Sequence, residues 1–400
     1  MIYQADWLLS LNGPPLPGGW LEIEADLITA VGPGSNLPPG KEVRKLVDCI
    51  LLPGLINAHC HLELTSLKDR LPSGKSFPVW VEELRGFTAA FNSENYQRAA
   101  KKGVLLLLKG GATTVVEVGN TGDALVVLSK SPMRSFALVE TLGLDPSLAE
   151  SRFAFAKKMA EGIANDSRYR SGVTPHAAYS CSPELLSKTA QYQIGRHLPL
   201  SIHASESREE AELFASASGP LQDYCRRIFS RSPEHRNTTP IQWLESLNLL
   251  PDGALIVHGN HLDGKDMAIL SDRKASVVHC PSSHAFFGHR PLPYSQLREH
   301  GIPVCLGTDS LASGDSLSML DQIRLFRKNF PVVSAEESLR MATSVAAQAL
   351  GLGDELGILK PGYKADFIAL RHPANKNPYE AVLNPDMEVA LSVIGGREAG

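Results

Sequence analysis

At 400 residues the chain is long enough for one large buried core and a smaller satellite. Its 39 basic and 43 acidic side chains leave a formal charge of −4 with no basic block, which argues against nucleic acid or an acidic membrane surface as main partner. Six scattered cysteines, with no Cys-x-x-Cys pair, support neither a disulfide framework nor a zinc ribbon.

The N-terminus MIYQADWLLSLNG lacks the basic start and small-residue cleavage site of a signal peptide, and the longest apolar run, around Val104 to Leu108, is too short to span a bilayer. A cytosolic protein is the expectation. Residues 1–50 read as short strands broken by turns: Trp7 to Leu11, Gly18 to Glu24 and Leu27 to Gly32, with a loop at Pro38-Pro-Gly. The other end reads alike, with strand, turn and strand in Gly357 to Leu370 and again from Glu388 to Arg397. Two β-rich ends flanking a long middle predict one small β-sandwich domain, residues 1–52 and 356–400, around a central domain of residues 53–355.

That middle alternates. Apolar strand candidates recur at Gly54 to Ala58, Ala112 to Val118, Ser135 to Thr141, Tyr169 to Thr174, Pro199 to Ile202, Ala254 to Val257, Ala275 to Val278 and Ile302 to Leu306. Helix-compatible stretches separate them, among them Tyr96 to Lys109, Ser147 to Ile163, Pro183 to Gly195, Leu317 to Lys328 and Ala335 to Leu350. Near-continuous apolar strands alternating with helices predict a parallel sheet covered by helices, and eight of them select an α/β fold of the (β/α)₈ TIM-type barrel. Two segments, Leu64 to Asn95 and Ser218 to Asn248, exceed plain connections and are expected lids or substrate walls.

Chemistry in such a barrel sits where strands end. The first strand ends in His59 and His61, whose i, i+2 spacing puts two imidazoles on one face of an extended chain. His203 ends strand five in SIHASE, and Asp309 ends strand eight in LGTDS. Three imidazoles and a carboxylate suit one divalent cation, Zn²⁺ first and Fe²⁺ as the alternative, with a position left for water. Such an ion lowers the pKa of water from ~15.7 toward ~7.

Glu206, three residues after His203, is the expected proton carrier, with Glu209 and Glu210 as rivals. His258 in VHGNHL is expected to orient the attacking water or the developing oxyanion, with His261 its rival. Asp309 is expected to serve both as ligand and as base. His176 in TPHAAYS reads as a substrate contact, and strand four offers no lysine to bridge a second metal, so one metal is expected.

Taken jointly, PGLINAHCHLE, PHAAYSCSPE, IHASE, VHGNHL, HCPSSH and GTDSLAS resemble the amidohydrolase superfamily. The likeness is to its aminohydrolase branch of guanine, S-adenosylhomocysteine and aminodeoxyfutalosine deaminases with the triazine chlorohydrolases, and extends from about residue 50 through GILKPGYKADFIAL to the end. It implies a metal on His59, His61, His203 and Asp309, with Glu206 and His258 catalytic in hydrolytic deamination of a purine-type base or nucleoside.

The HCHLE form of the first motif, with Glu63, and HCPSSHAFFGH look most like the aminodeoxyfutalosine deaminases, although Ser282 stands where that group carries Arg. Deamination of S-adenosylhomocysteine, adenosine or guanine, or dechlorination or amide hydrolysis, are the alternatives. His279, His284 and His289 are expected either to line the pocket or to pack as buried polar groups. Glu63 is expected to bind an amine or ribose hydroxyl, or to brace a metal histidine. The partners expected are a small-molecule substrate and at most a second copy of the chain, as a homodimer, with neither nucleic acid nor membrane.

Overall fold

The structure is a computed structural model that describes residues 1–371 and 377–399; residues 372–376 and 400, inside the expected C-terminal β segment, lie outside the described residues. All eight expected middle strands form. We number them β1 (Leu55–Cys60), β2 (Ala112–Gly119), β3 (Arg134–Thr141), β4 (Tyr169–Pro175), β5 (Ser201–Ala204), β6 (Leu255–His258), β7 (Ser276–His279) and β8 (Val304–Leu306).

The strands pair in parallel as β1 to β4 and as β5 to β8. Two single bridges join the halves into a ring: Ala177 to His203 across β4 and β5, and Cys60 to Asp309 across β1 and β8. Gly307 permits the second closure, because a Cβ there would meet the His59 carbonyl oxygen at 2.9 Å and the His59 Cβ at 3.1 Å. One apolar cluster unites Ile56, Val116, Leu138, Val257, Val278 and Cys305, from six of the eight strands, β1 to β3 and β6 to β8. Ala346, Ala347 and Leu350 extend that cluster. All six cysteines are buried and unpaired, as small apolar fillers.

The stretch Ala335 to Leu350, expected as one helix, is two: Ala335–Met341 and Ser344–Ala349, broken at Thr343 (φ −138°, ψ −96°). The Ala342 carbonyl turns out to accept the Ile56 N–H of β1 at 2.7 Å, so a tertiary bond replaces a helical one.

The chain ends build a separate eight-stranded sheet, off to which the short strand Leu16–Pro17 pairs with Ile2–Leu8. Its main path runs Arg397–Glu398, Glu388–Ile394, Phe367–Arg371, Val43–Pro53, Ile2–Leu8, Trp20–Glu24 and Leu27–Gly32. The path folds over far enough for Leu27, on one edge, to bridge Lys364 beside the strand Phe367–Arg371, enclosing Tyr3, Leu21, Leu51, Phe367 and Val393. Sequence reading did not identify Val43–Pro53 as a strand. It is the longest in this sheet and passes through Gly54 straight into β1.

A buried ion pair also ties sheet to barrel. Arg134, the first residue of β3, donates from Nε and Nη2 to the Asp366 carboxylate at 3.0 and 3.1 Å, and Asp366 also accepts the Gly395 N–H at 2.7 Å. Removing one member of a buried pair strands the other charge, at a cost of about 3–5 kcal/mol. Arg134→Met is therefore expected to lower the urea-unfolding free energy by about that amount; a change below ~1 kcal/mol would show that the pair does not hold the two parts together.

Candidate active site

The strand ends converge on a single cavity lined by His61, His176, His203, Glu206, His258 and Asp309. The Nε2 atoms of His59, His61 and His203 form a triangle with sides of 3.1, 3.4 and 3.2 Å. Two nitrogens bound ~2.0–2.1 Å from one ion at the tetrahedral angle lie ~3.3 Å apart, so the triangle has the size of a metal face. Asp309 Oδ1 stands 3.6 Å from His61 Nε2, in position to add an oxygen. Its Oδ2 accepts the Ser313 hydroxyl at 3.0 Å.

Backbone carbonyls set the rings. His61 Nδ1 lies 2.7 Å from the Val118 oxygen, and His203 Nδ1 lies 2.8 Å from the His176 oxygen. A carbonyl can only accept, so each Nδ1 carries the proton and each Nε2 presents its lone pair to the centre of the triangle. His59 Nδ1 is buried without a hydrogen-bond partner. Burial first, and the neighbouring imidazoles second, hold His59 well below the ordinary histidine range and bring His203 down to about 4. Both are thus neutral, the form a ligand requires.

Glu206 is buried, with Oε1 3.5 Å from His258 Nε2. Burial first, then the negative charge of Asp309, pushes its carboxyl well above the usual range, which favours the protonated form. Its two rivals separate on position. Glu210 turns back to accept the Glu206 N–H at 2.7 Å, while Glu209 is absent from the cavity wall. His258 faces the cavity, with its ring 5.5 Å from that of His203; His261 does not. His176 Nδ1 pairs with the Ser180 hydroxyl at 2.7 Å, leaving Nε2 for a ligand.

Other expectations need correction. Glu63 lies in the cavity wall, but its carboxylate accepts five bonds from the loop after β2: the N–H groups of Asn120, Thr121, Asp123 and Ala124 and the Thr121 hydroxyl, at 2.6 to 3.2 Å. Five donors saturate it, so it holds that loop instead of touching a histidine or offering itself to an amine. The close approach depends on Gly119, where a Cβ would meet the Glu63 carboxylate at 2.8 Å. His279 and His284 are not in the cavity wall. Their rings pack 5.0 Å apart, His279 against Phe326, and His284 Nδ1 faces the Asn260 oxygen at 3.1 Å.

One residue escaped the sequence reading. Glu140, near the end of β3, is buried beside the cavity with Oε1 3.5 Å from His203 Nδ1, and burial raises its carboxyl to about 7. The signal was a lone acid inside the apolar run Phe136 to Thr141.

Both long segments wall the cavity. The first contributes the helix Phe77–Thr88, and the second contributes Tyr224 and Phe229 from the helix Pro220–Phe229. If the triangle holds a cation, His61→Ala and His203→Ala are expected to lose it and Glu206→Gln to keep it, as measured by elemental analysis of the purified proteins. Stoichiometric metal in His203→Ala would remove that imidazole from the ligand set.

Comparison with known proteins places this geometry in a family. A sequence model of the Amidohydrolase family matches residues 50–399. The 5-methylthioadenosine/S-adenosylhomocysteine deaminase of Moorella thermoacetica is 29% identical over 94% of this chain and 87% of its own length. Among solved structures, Helicobacter pylori aminofutalosine deaminase in complex with methylthio-coformycin superposes with a TM-score of 0.89 at 24% identity, covering 99% of both chains. An adenosine deaminase from Xanthomonas campestris with bound zinc gives 0.86 at 21% identity, over 99% of this chain and 92% of that one. With the family match spanning the whole barrel and the end that returns to the small sheet, the chain belongs to the amidohydrolase family.

Proposed function

We propose that the protein is a divalent-metal-dependent hydrolase that removes the exocyclic amine of an aminopurine nucleoside, with aminodeoxyfutalosine as the substrate. The observation that carries this reading is the convergence of three imidazoles, Asp309 and the buried Glu206 at the strand ends. His59, His61, His203 and Asp309 are the proposed ligands, and their three nitrogens and one oxygen suit Zn²⁺. A cation bound there supplies ionised water at neutral pH.

The remaining work falls to the chain's own groups. Asp309 takes the proton of the attacking water. Glu206 passes its proton to a ring nitrogen, which lets the ring carbon accept the new bond. His258, 3.5 Å from Glu206, hydrogen-bonds the incoming oxygen and fixes its approach. The proton collected by Asp309 leaves with ammonia, and as the carbonyl forms the proton of the added hydroxyl returns to Glu206, restoring its carboxyl. His176 directs its free Nε2 at the substrate ring.

The choice of substrate draws on the HCHLE and HCPSSH motifs and on the fold shared with the aminofutalosine deaminase. A second reading, 5-methylthioadenosine or S-adenosylhomocysteine as substrate, is favoured by the name of the Moorella relative.

Ammonia release is the test, with metal-loaded protein offered aminodeoxyfutalosine, S-adenosylhomocysteine, 5-methylthioadenosine, adenosine and guanine. The highest kcat/KM is expected on aminodeoxyfutalosine, and release from none of the five would refute deamination. Asp309→Asn is expected to abolish release with an unchanged circular dichroism spectrum. Glu206→Gln is expected to lower kcat by about 10²–10⁴-fold. His176→Ala is expected to raise KM more than it lowers kcat; the opposite split would give His176 a part in the chemistry.

A further inference from the structure

Glu140 lines the cavity but has no part in the chemistry proposed above. The residue is only 6% exposed, and its Oε1 is buried without a hydrogen-bond partner. His203 Nδ1, 3.5 Å from that oxygen, already donates its proton to the His176 carbonyl at 2.8 Å. A buried polar atom left without a partner in a folded chain marks a place where a water or an ion belongs.

Atoms that could share such an ion stand beside it. One carboxylate oxygen of Glu140, one ring nitrogen of His176 and one ring nitrogen of His203 lie within 4.8 Å of one another. His203 is committed at both nitrogens, Nε2 to the triangle and Nδ1 to the carbonyl. His176 is not. The Ser180 hydroxyl gives its own proton to the Ala177 carbonyl at 3.2 Å, so at 2.7 Å it accepts from His176 Nδ1, and Nε2 keeps a lone pair. Two ligand atoms bound ~2.1 Å from one ion at the tetrahedral angle lie ~3.4 Å apart, so small rotations of the two side chains suffice to close on it. The field favours a cation as well: Glu63, Glu140, Glu206 and Asp309 line the cavity against the single guanidinium of Arg85, among the described residues.

We propose that Glu140 and His176 form a second, weaker site for a divalent transition-metal ion, and that an ion held there keeps the substrate out. One imidazole and one carboxylate suit Zn²⁺, Co²⁺ or Ni²⁺ better than Mg²⁺ or Ca²⁺, which prefer oxygen alone. With two side chains in place of four, and water completing the coordination, this position fills after the first. Neither side chain is a ligand of the first ion, so the two positions are separate and unbridged. Exclusion of substrate rests on the deaminase reading, in which His176 contacts the nucleoside; the site itself does not.

Equilibrium dialysis against increasing Zn²⁺, followed by elemental analysis, counts the ions without any turnover. The unsubstituted protein is expected to take up one ion tightly and a second at higher concentration. Glu140→Gln and His176→Ala are each expected to keep the first and lose the second, and excess Mg²⁺ is expected not to displace it. In the ammonia assay, Zn²⁺ at about ten times the dissociation constant of the second site is expected to raise KM about 10-fold with kcat unchanged, and Glu140→Gln to remove that inhibition. A single ion in the unsubstituted protein at every concentration, or a second ion retained by either variant, would overturn the site. Loss of both ions from Glu140→Gln would also count against it, because the carboxylate would then be bracing His203. A second ion bound as expected, with no ammonia from any nucleoside, would leave the site standing and remove the deaminase reading.

Discussion

The two hydrogen-bonded seams that close the barrel run through the residues of its chemistry. At one, the His203 N–H donates to the His176 carbonyl at 3.0 Å; at the other, the N–H groups of Thr308 and Asp309 both donate to the His59 carbonyl, at 3.0 and 3.2 Å. Residues 59, 203 and 309 lie far apart along the chain, and side chains so separated meet only when strands five and eight dock against strands four and one. Closing the ring and assembling the site are therefore one event. A parallel strand pair far apart in sequence is slow to form, because loop-closure entropy is lost before the contacts repay it.

The site also concentrates strain and buried polarity. Ser205, His258 and Asp309, all beside or at strand ends, have φ of +56°, +75° and +57°, a region that costs a non-glycine residue of order 1–3 kcal/mol. Burial holds His59 and His258 well below the usual histidine range and pushes Glu206 well above the usual carboxylate range. Neutral imidazoles have lone pairs to give, and a protonated carboxyl has a proton to give. The same desolvation that weakens the fold locally thus prepares both partners of the proposed reaction.

Much of this was legible in the sequence because it rests on local pattern. Buried parallel strands must be apolar on both faces, so all eight announce themselves, and the i, i+2 spacing of His59 and His61 is a strand's own period. What escaped depended on contacts between distant segments. Nothing near Thr343 says that the Ala342 carbonyl is claimed by Ile56, so the helix break there is invisible locally. Glu63 looks like a free acid beside two histidines until the loop at 120–124 supplies five donors. His279 and His284 sit in a motif rich in site-like residues, yet pack against Phe326 and Asn260.

The strand Val43–Pro53 lies between Ile2–Leu8 and Phe367–Arg371 in the small sheet. As the polypeptide emerges from a ribosome, the first neighbour is already present, whereas the second is synthesised more than 300 residues later. Until those residues are made this strand keeps one row of backbone N–H and C=O groups open, on an edge whose last five residues are apolar and buried in the finished fold. An open apolar edge is a template for pairing with other nascent chains. Yield in a fast-translating expression host should therefore depend on chaperone capacity and growth temperature more than on the equilibrium stability of the completed molecule.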